Sequence, residues 1–222
     1  MTEPDVALTD FALALESAVF VVILIGRGAL GISIGRWLLV FFASVGTASF
    51  CGGLAHGFFL HQPFGDEVLW PATLLAIGTA TLAKWAVGAQ LIFQPRNARI
   101  VVALAFVQFF AYVVAVIFFV RDFLIAVAGN LPGAVFLLVA FAIASRRTGD
   151  QRLLAGSAGM ALTLLAGLLQ QLKVGAHPTY FNHNAVYHLV QAVALFLVFL
   201  GANRVVRIRL DPSSGASHAH SS

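Results

Sequence analysis

Charged residues are scarce in this sequence. Only 10% of its 222 residues are Asp, Glu, Lys or Arg, whereas 60% are hydrophobic and 20 are phenylalanine. A water-soluble domain carries about 25% charged residues, so this chain lacks the polar surface that a soluble globule needs. The composition excludes an ordinary soluble enzyme, a disordered protein and a nucleic-acid-binding domain. It indicates a polytopic helical membrane protein, because about 20 apolar residues span a bilayer.

Cysteine is nearly absent as well. Cys51 is the single cysteine and lies inside an apolar segment, which excludes an intramolecular disulfide and gives no information on the redox compartment. The first ten residues are acidic and lack the basic start of a cleaved signal peptide. We expect one transmembrane domain over residues 1–210, followed by a disordered polar tail over residues 211–222.

Seven apolar stretches, each closed by charges, proline or glycine, predict seven spans. They are residues 9–26, 37–60, 68–93, 99–120, 123–145, 153–173 and 183–203. In lipid, a span must satisfy its own backbone hydrogen bonds unless it belongs to a closed barrel, and these runs are too long and too continuously apolar for barrel strands. The predicted fold class is therefore an all-α membrane protein with a seven-helix transmembrane bundle.

The basic residues predict the orientation of this bundle. One side of the predicted bundle holds ten of them, namely Arg27, Arg36, Arg96, Arg99, Arg146, Arg147, Arg152, Arg204, Arg207 and Arg209. The other side holds only Arg121 and Lys173, together with most of the acids. Because Lys and Arg accumulate in cytoplasmic loops, we expect the N-terminus outside and the C-terminus in the cytosol of a multi-pass inner-membrane protein.

Polar residues inside the spans are expensive in lipid and usually face an interior. Several of them lie near the outer ends of spans one, two, three and seven, and they predict one cluster rich in imidazole and carboxylate. Its members are Glu16, His56, His61, Asp66, Glu67, His183 and His188.

Such a cluster fits an open zinc site, which needs two or three imidazoles and a water. The metal would activate the water, and a carboxylate would move its proton. His56 and His188 are the best candidate ligands. His183 is the third, because five residues on a helix turn it about 140° away from His188. An Asn182 cap would ease this geometry.

Other interpretations remain open. Histidines near the outer interface also act as amphipathic anchors or as hydrogen-bond partners between helices, and His56 with His188 could instead bind haem between two helices. Lys84 lies deep in span three, and the sequence offers no acid of matching depth. We expect it to be capped by glutamine or backbone carbonyl groups, since a retinal lysine would belong in span seven.

Three short motifs carry a family resemblance. Span two ends Gly52-Gly53-Leu54-Ala55-His56, Asp66 and Glu67 follow ten and eleven residues later, and span seven contains Asn184-Ala185-Val186-Tyr187-His188. The pattern resembles the seven-span superfamily of the alkaline ceramidases and progestin/adiponectin receptors, in a bacterial branch. Those proteins carry Ser-x3-His, Asp and His-x3-His at these places. Here Gly52 stands at the serine position and Asn184 at the first histidine position.

The resemblance implies a zinc-dependent hydrolase of lipid amides. His56 and His188 would bind zinc, His183 or Asn184 would complete the set, and Asp66 or Glu67 would manage the proton. Ser49, Glu16 and His61 would support this site, and spans three to six would take the acyl chain of a membrane lipid. The substitutions at Gly52 and Asn184 favour a second reading, a non-catalytic sensor, receptor or assembly subunit that has lost the metal.

Overall fold

The computed structural model describes residues 1–175, 177 and 182–211. These residues form seven helices long and apolar enough to cross a membrane. The helices are α1 (Pro4–Gly26), α2 (Ser33–Phe58), α3 (Trp70–Ile92, after a π-helical turn at Gly65–Leu69), α4 (Pro95–Phe118), α5 (Phe123–Thr148), α6 (Leu154–Gln171, after a 3-10 turn at Gln151–Leu153) and α7 (His183–Leu210). The predicted number of span-length apolar helices is confirmed, whereas residues 212–222 of the expected tail lie outside the described residues.

Local sequence signals explain where several helices begin. Pro4 and Pro95 occupy the first position of α1 and α4, where a missing N–H costs nothing. The Asn182 side chain accepts hydrogen bonds from the backbone N–H groups of Asn184 (2.9 Å) and Ala185 (3.1 Å), so the expected cap of α7 is present.

The start of α1 and the end of α7 differ from the predicted boundaries. The first span was predicted to begin at residue 9, but α1 begins at Pro4, and its first two turns therefore carry the acidic residues of the N-terminus. Asp10 lies in the second turn of α1 and is only 4% exposed. The seventh span was predicted to end at 203, but α7 continues to Leu210, because arginines in the last turns favour a helix C-terminus.

Six of the seven helices close a ring in the order α1, α2, α3, α5, α6, α7, with α7 again against α1. The fourth helix, α4, packs on the outside of α3. Few of its residues are buried within the described protein, since most of its side chains point away from the ring.

The two ends of the bundle carry opposite charge. We call the end with Glu3, Asp5, Asp66, Glu67 and Asp122 the acidic end, and the opposite end, with ten arginines, the basic end. Side chains tie helices together at the basic end, where Arg147 donates to the carbonyl oxygen of Ile92 (2.6 Å) and Arg209 to that of Gln90 (3.1 Å).

The basic half of the ring is solidly packed. Phe20 stacks on Phe199 with ring centroids 4.2 Å apart, and Phe42 meets Phe20 edge-on at 5.4 Å. Glycines in α6 let α7 approach closely, as a Cβ at Gly159 would lie 2.6 Å from the backbone oxygen of Ala194. Because the aromatic core fills this half, the remaining internal space lies nearer the acidic end.

Candidate functional site: an interior cavity

A cavity of about 520 Å³ occupies the inside of the ring. All six ring helices contribute to its wall, and most of the lining is apolar. Its polar members include two groups. The first group, at the acidic end, includes Asp10, Ser49, His56, His183, Asn184 and His188, and the second group, deeper in the bundle, consists of Lys84 and Asn130.

His188 belongs to the first group and is held by α1. Its Nδ1 lies 3.0 Å from Thr9 Oγ1, and its Nε2 lies 3.3 Å from Asp10 Oδ1. The Thr9 hydroxyl donates to backbone carbonyl oxygens of its own helix, those of Asp5 and Val6, both at 2.9 Å. The hydroxyl group of Thr9 and the carboxyl group of Asp10 thus contact both nitrogens of the imidazole.

Two glycines of α2 make room for Asp10. A Cβ at Gly52 would lie 2.9 Å from Asp10 Oδ2, and a Cβ at Gly53 would lie 3.2 Å from Asp10 Cβ. The resemblance placed a serine at position 52, and the structure gives a physical reason for glycine there. The space that a side chain would need is taken by the carboxylate of α1.

His56 is held by the residues that precede α1. Its Nδ1 lies 2.5 Å from Glu3 Oε2, and its backbone oxygen accepts from the N–H of Glu3 at 3.3 Å. The next carbonyl, that of Gly57, accepts from the N–H of Thr2 at 3.1 Å. The N-terminal segment thus fastens onto the end of α2 and engages the second imidazole.

The other predicted site residues fall into two sets. Ser49, His183 and Asn184 line the cavity, as expected, and Asn184 Oδ1 accepts from Gln170 at 3.3 Å. His61, Asp66 and Glu67 instead lie on the exposed surface of the acidic end. Glu16 lies outside the lining, and its Oε2 is buried without a hydrogen-bond partner among the described residues.

The residues present do not fit the zinc site that the resemblance implies. Across residues 1–175, 177 and 182–211, no group of three or more His, Cys, Asp or Glu side chains is arranged to hold a metal ion. His56 and His188 border one cavity, but Glu3 contacts the first and Asp10 of α1 contacts the second. Asn184 has an amide at the position where the resemblance implies a third imidazole. Asp66 lies on the exposed surface, outside the cavity lining.

Lys84 and Asn130 form the deep polar group. The Lys84 ammonium group donates to Asn130 Oδ1, and the hydroxyl of Thr81 lies 3.1 Å from the same oxygen. The Phe41 ring centroid is 5.6 Å from Nζ. Lys84 is therefore capped by an asparagine of α5, and not by the glutamine or carbonyl groups expected from the sequence.

Sequence reasoning missed Asp10, Thr9 and the pairing of Lys84 with Asn130. Asp10 was predicted only as one of the acids of the arginine-poor side, at the start of the first span, and not as a partner of His188. Lys84 and Asn130 were both visible as polar residues within spans. Only the order of the helices in the ring shows that they meet.

Comparisons with known proteins place the chain in one family. A family model described as a family of unknown function, DUF6962, matches residues 6–207, a range that covers all seven helices except the first two residues of α1 and the last three of α7, together with the whole cavity lining. Comparison with curated proteins and with solved structures found no match. The chain therefore belongs to the DUF6962 family.

Proposed function

We propose that this chain is a multi-pass membrane protein that binds an amphiphilic small molecule inside its helical ring. The N-terminus would lie outside and the C-terminus in the cytosol, because the basic end carries ten arginines. The observation that carries the proposal is the cavity. Its volume of about 520 Å³ falls within the range of small-molecule sites, which are mostly apolar with a few convergent polar groups.

The lining favours a ligand that arrives from the membrane. Leu131 of α5 and Leu168 of α6 both line the cavity and are 50% and 54% exposed. The contacts between these two helices include a bond from Ser157 to the carbonyl oxygen of Leu138 (2.9 Å) and the packing of Gly156 on Phe141, both in the basic half. We infer that a lipid-like molecule passes between α5 and α6 in the acidic half.

This role corresponds to a sensor or receptor and not to an enzyme. His56 and His188 already have partners from the N-terminal segment and α1. A binding site of this kind needs no metal, and the substitution of Gly52 for serine accommodates Asp10 instead of a metal-bound water.

Binding to the purified protein in lipid nanodiscs tests the proposal. Native mass spectrometry would count molecules of hexadecan-1-ol or hexadecanoic acid retained per protein. Ala48→Phe fills the cavity, because Ala48 lines it and is 8% exposed, and should abolish retention of both. Ala18→Phe, at an exposed position of α1, is the matched control and should retain both. Equal retention by Ala48→Phe and the native protein would refute the proposal.

A zinc-dependent lipid-amide hydrolase is the second candidate. One observation favours it: His56, His183, His188 and Ser49 all border the same cavity. Metal analysis of the purified protein beside the double variant His56→Ala/His188→Ala tests it. Stoichiometric zinc that the double variant loses would support the hydrolase, whereas negligible zinc in both would remove it. A Soret band in the same preparation would point to haem.

A further inference from the structure

Lys84 has an unusual place for a lysine in a membrane-spanning helix. It lines the cavity, yet it is only 4% exposed. It is one of two lysines in the chain, the other being Lys173 near the acidic end. A buried ammonium group in an apolar setting is costly unless it is paired, so its retention calls for a partner.

The side chain does not reach the basic end of the bundle. Lysines in membrane helices usually extend along the helix to bring the charge to water. Lys84 lies eight residues before the end of α3 at Ile92, about 12 Å along the axis. Its ammonium group instead meets Asn130 beside Thr81, one turn towards the acidic end and hence towards the middle of the bundle.

Within residues 1–175, 177 and 182–211, no carboxylate forms an ion pair with this cation. Ion pairs there join His56 to Glu3, His188 to Asp10 and Arg204 to Asp150. Asp10 is the acid that lines the same cavity, and it sits against Gly52, whereas Lys84 sits over Phe41. These two positions of α2 are eleven residues apart, or about 16 Å, which is too far for an ion pair.

We propose that Lys84 and Asn130 bind the carboxyl group of a long-chain carboxylic acid. This inference rests on the proposed binding of an amphiphile and names the chemistry of its head group. The carboxylate would accept a charge-assisted hydrogen bond from Lys84 Nζ. The chain would extend through the apolar part of the cavity towards the first polar group.

A bound carboxylic acid would also neutralise the buried charge of Lys84. The acid binds as its carboxylate, whose negative charge cancels the positive charge of the Lys84 ammonium group. The resulting ion pair has no net charge, which agrees with the lack of an acid beside Lys84 among the described residues.

Three probes with the same chain length test the inference in nanodiscs: hexadecanoic acid, hexadecan-1-ol and methyl hexadecanoate. The native protein should bind the acid at least about tenfold more tightly than either neutral probe. Lys84→Met should lose this preference and still bind the alcohol. Lys173→Met, which removes the other lysine at an exposed position, should keep the preference.

The outcomes separate this inference from the function on which it rests. Equal affinity of the native protein for acid and alcohol, or an unchanged preference for acid in Lys84→Met, would overturn the carboxylate site and leave amphiphile binding intact. Failure of all three probes to bind the native protein would overturn both. The comparison of probes on the native protein needs no variant, so it holds even if Lys84→Met folds poorly.

Discussion

Side chains at the start of α1, and Glu3 just before it, contact two of the imidazoles at the acidic end. Thr9 and Asp10 contact both nitrogens of His188, and Glu3 contacts Nδ1 of His56. His188, with both nitrogens engaged, therefore has no lone pair free for a metal in this arrangement.

Gly52→Ala should lower the stability of the protein. The new Cβ would lie 2.9 Å from Asp10 Oδ2, so the carboxylate must move away from α2, and we expect a loss of about 1–3 kcal/mol. Thermal unfolding in detergent measures it. Gly167→Ala is the control, because a Cβ there meets nothing within 4 Å. It should be neutral or slightly stabilising, and equal losses in both variants would contradict the account.

Lys84→Met should raise the melting temperature of the ligand-free protein. The substitution removes a buried amine whose partner in the described structure is an asparagine and not an acid, and apolar replacements of poorly compensated buried charges are often stabilising. Thermal unfolding without added amphiphile measures the shift. A large loss of stability would instead assign Lys84 a structural role in joining α3 to α5.

Among the helices, the contact between α6 and α7 depends on close backbone approach. A Cβ at Gly159 would lie 2.6 Å from Ala194 O and 2.7 Å from Val198 N, and backbone atoms cannot turn aside as the Asp10 side chain can. Gly159→Ala should therefore destabilise the protein more than Gly52→Ala does. The same thermal unfolding measurements compare the stability losses of the two variants. A larger loss for Gly52→Ala would show that α6 and α7 can move apart at little cost.

The turn between α5 and α6 is fastened to α7 through Asp150. Its carboxylate bonds Arg204 and accepts from the Arg152 N–H at 3.0 Å, while Ser145 donates to its backbone oxygen at 3.0 Å. Burial opposes ionisation of Asp150. The hydrogen bonds from Arg204 and Arg152, with the charges of both arginines, outweigh this effect and hold the pKa of the carboxyl group below its ordinary value.

This lowered pKa gives a pH dependence of known sign. Because the folded state favours the charged form, Asp150 stabilises the fold above its unfolded pKa of about 3.9, and this contribution disappears as the pH falls through the lower folded pKa. Asp150→Asn should lower the free energy of unfolding by about 1–3 kcal/mol at neutral pH. Below pH 4 the difference in stability between the variant and the native protein should become smaller. If the two proteins differed in melting temperature by the same amount at every pH, the stabilising role of the ionised Asp150 would be contradicted.

The existence of the seven helices was predictable from the sequence, but the order in which they pack was not. Hydropathy alone yields seven helices, because each span must be apolar along its whole length. The same uniformity hides which face of a helix meets which partner, so the ring order and the outward position of α4 did not follow from the pattern. The sequence predicts that His56 and His188 border one site, as both line the cavity, but the contact of Asp10 with His188 depends on which face of α1 meets α7 and did not follow from the pattern.

The molecule as a whole separates a solid basic half from a hollow acidic half. The proposed orientation puts the hollow half towards the outer leaflet. A reporter enzyme that works only in the cytosol should be active when fused after Ser222, and one that works only outside should be inactive there. The opposite pattern would reverse the orientation and place the cavity nearer the inner leaflet.

The most direct test of the interior binding site is a density map of the protein in nanodiscs saturated with hexadecanoic acid. We expect continuous density inside the ring, with its head at Lys84 and Asn130 and its chain running towards His188. An empty cavity, with lipid density confined to the outer faces of helices such as α4, would contradict the account.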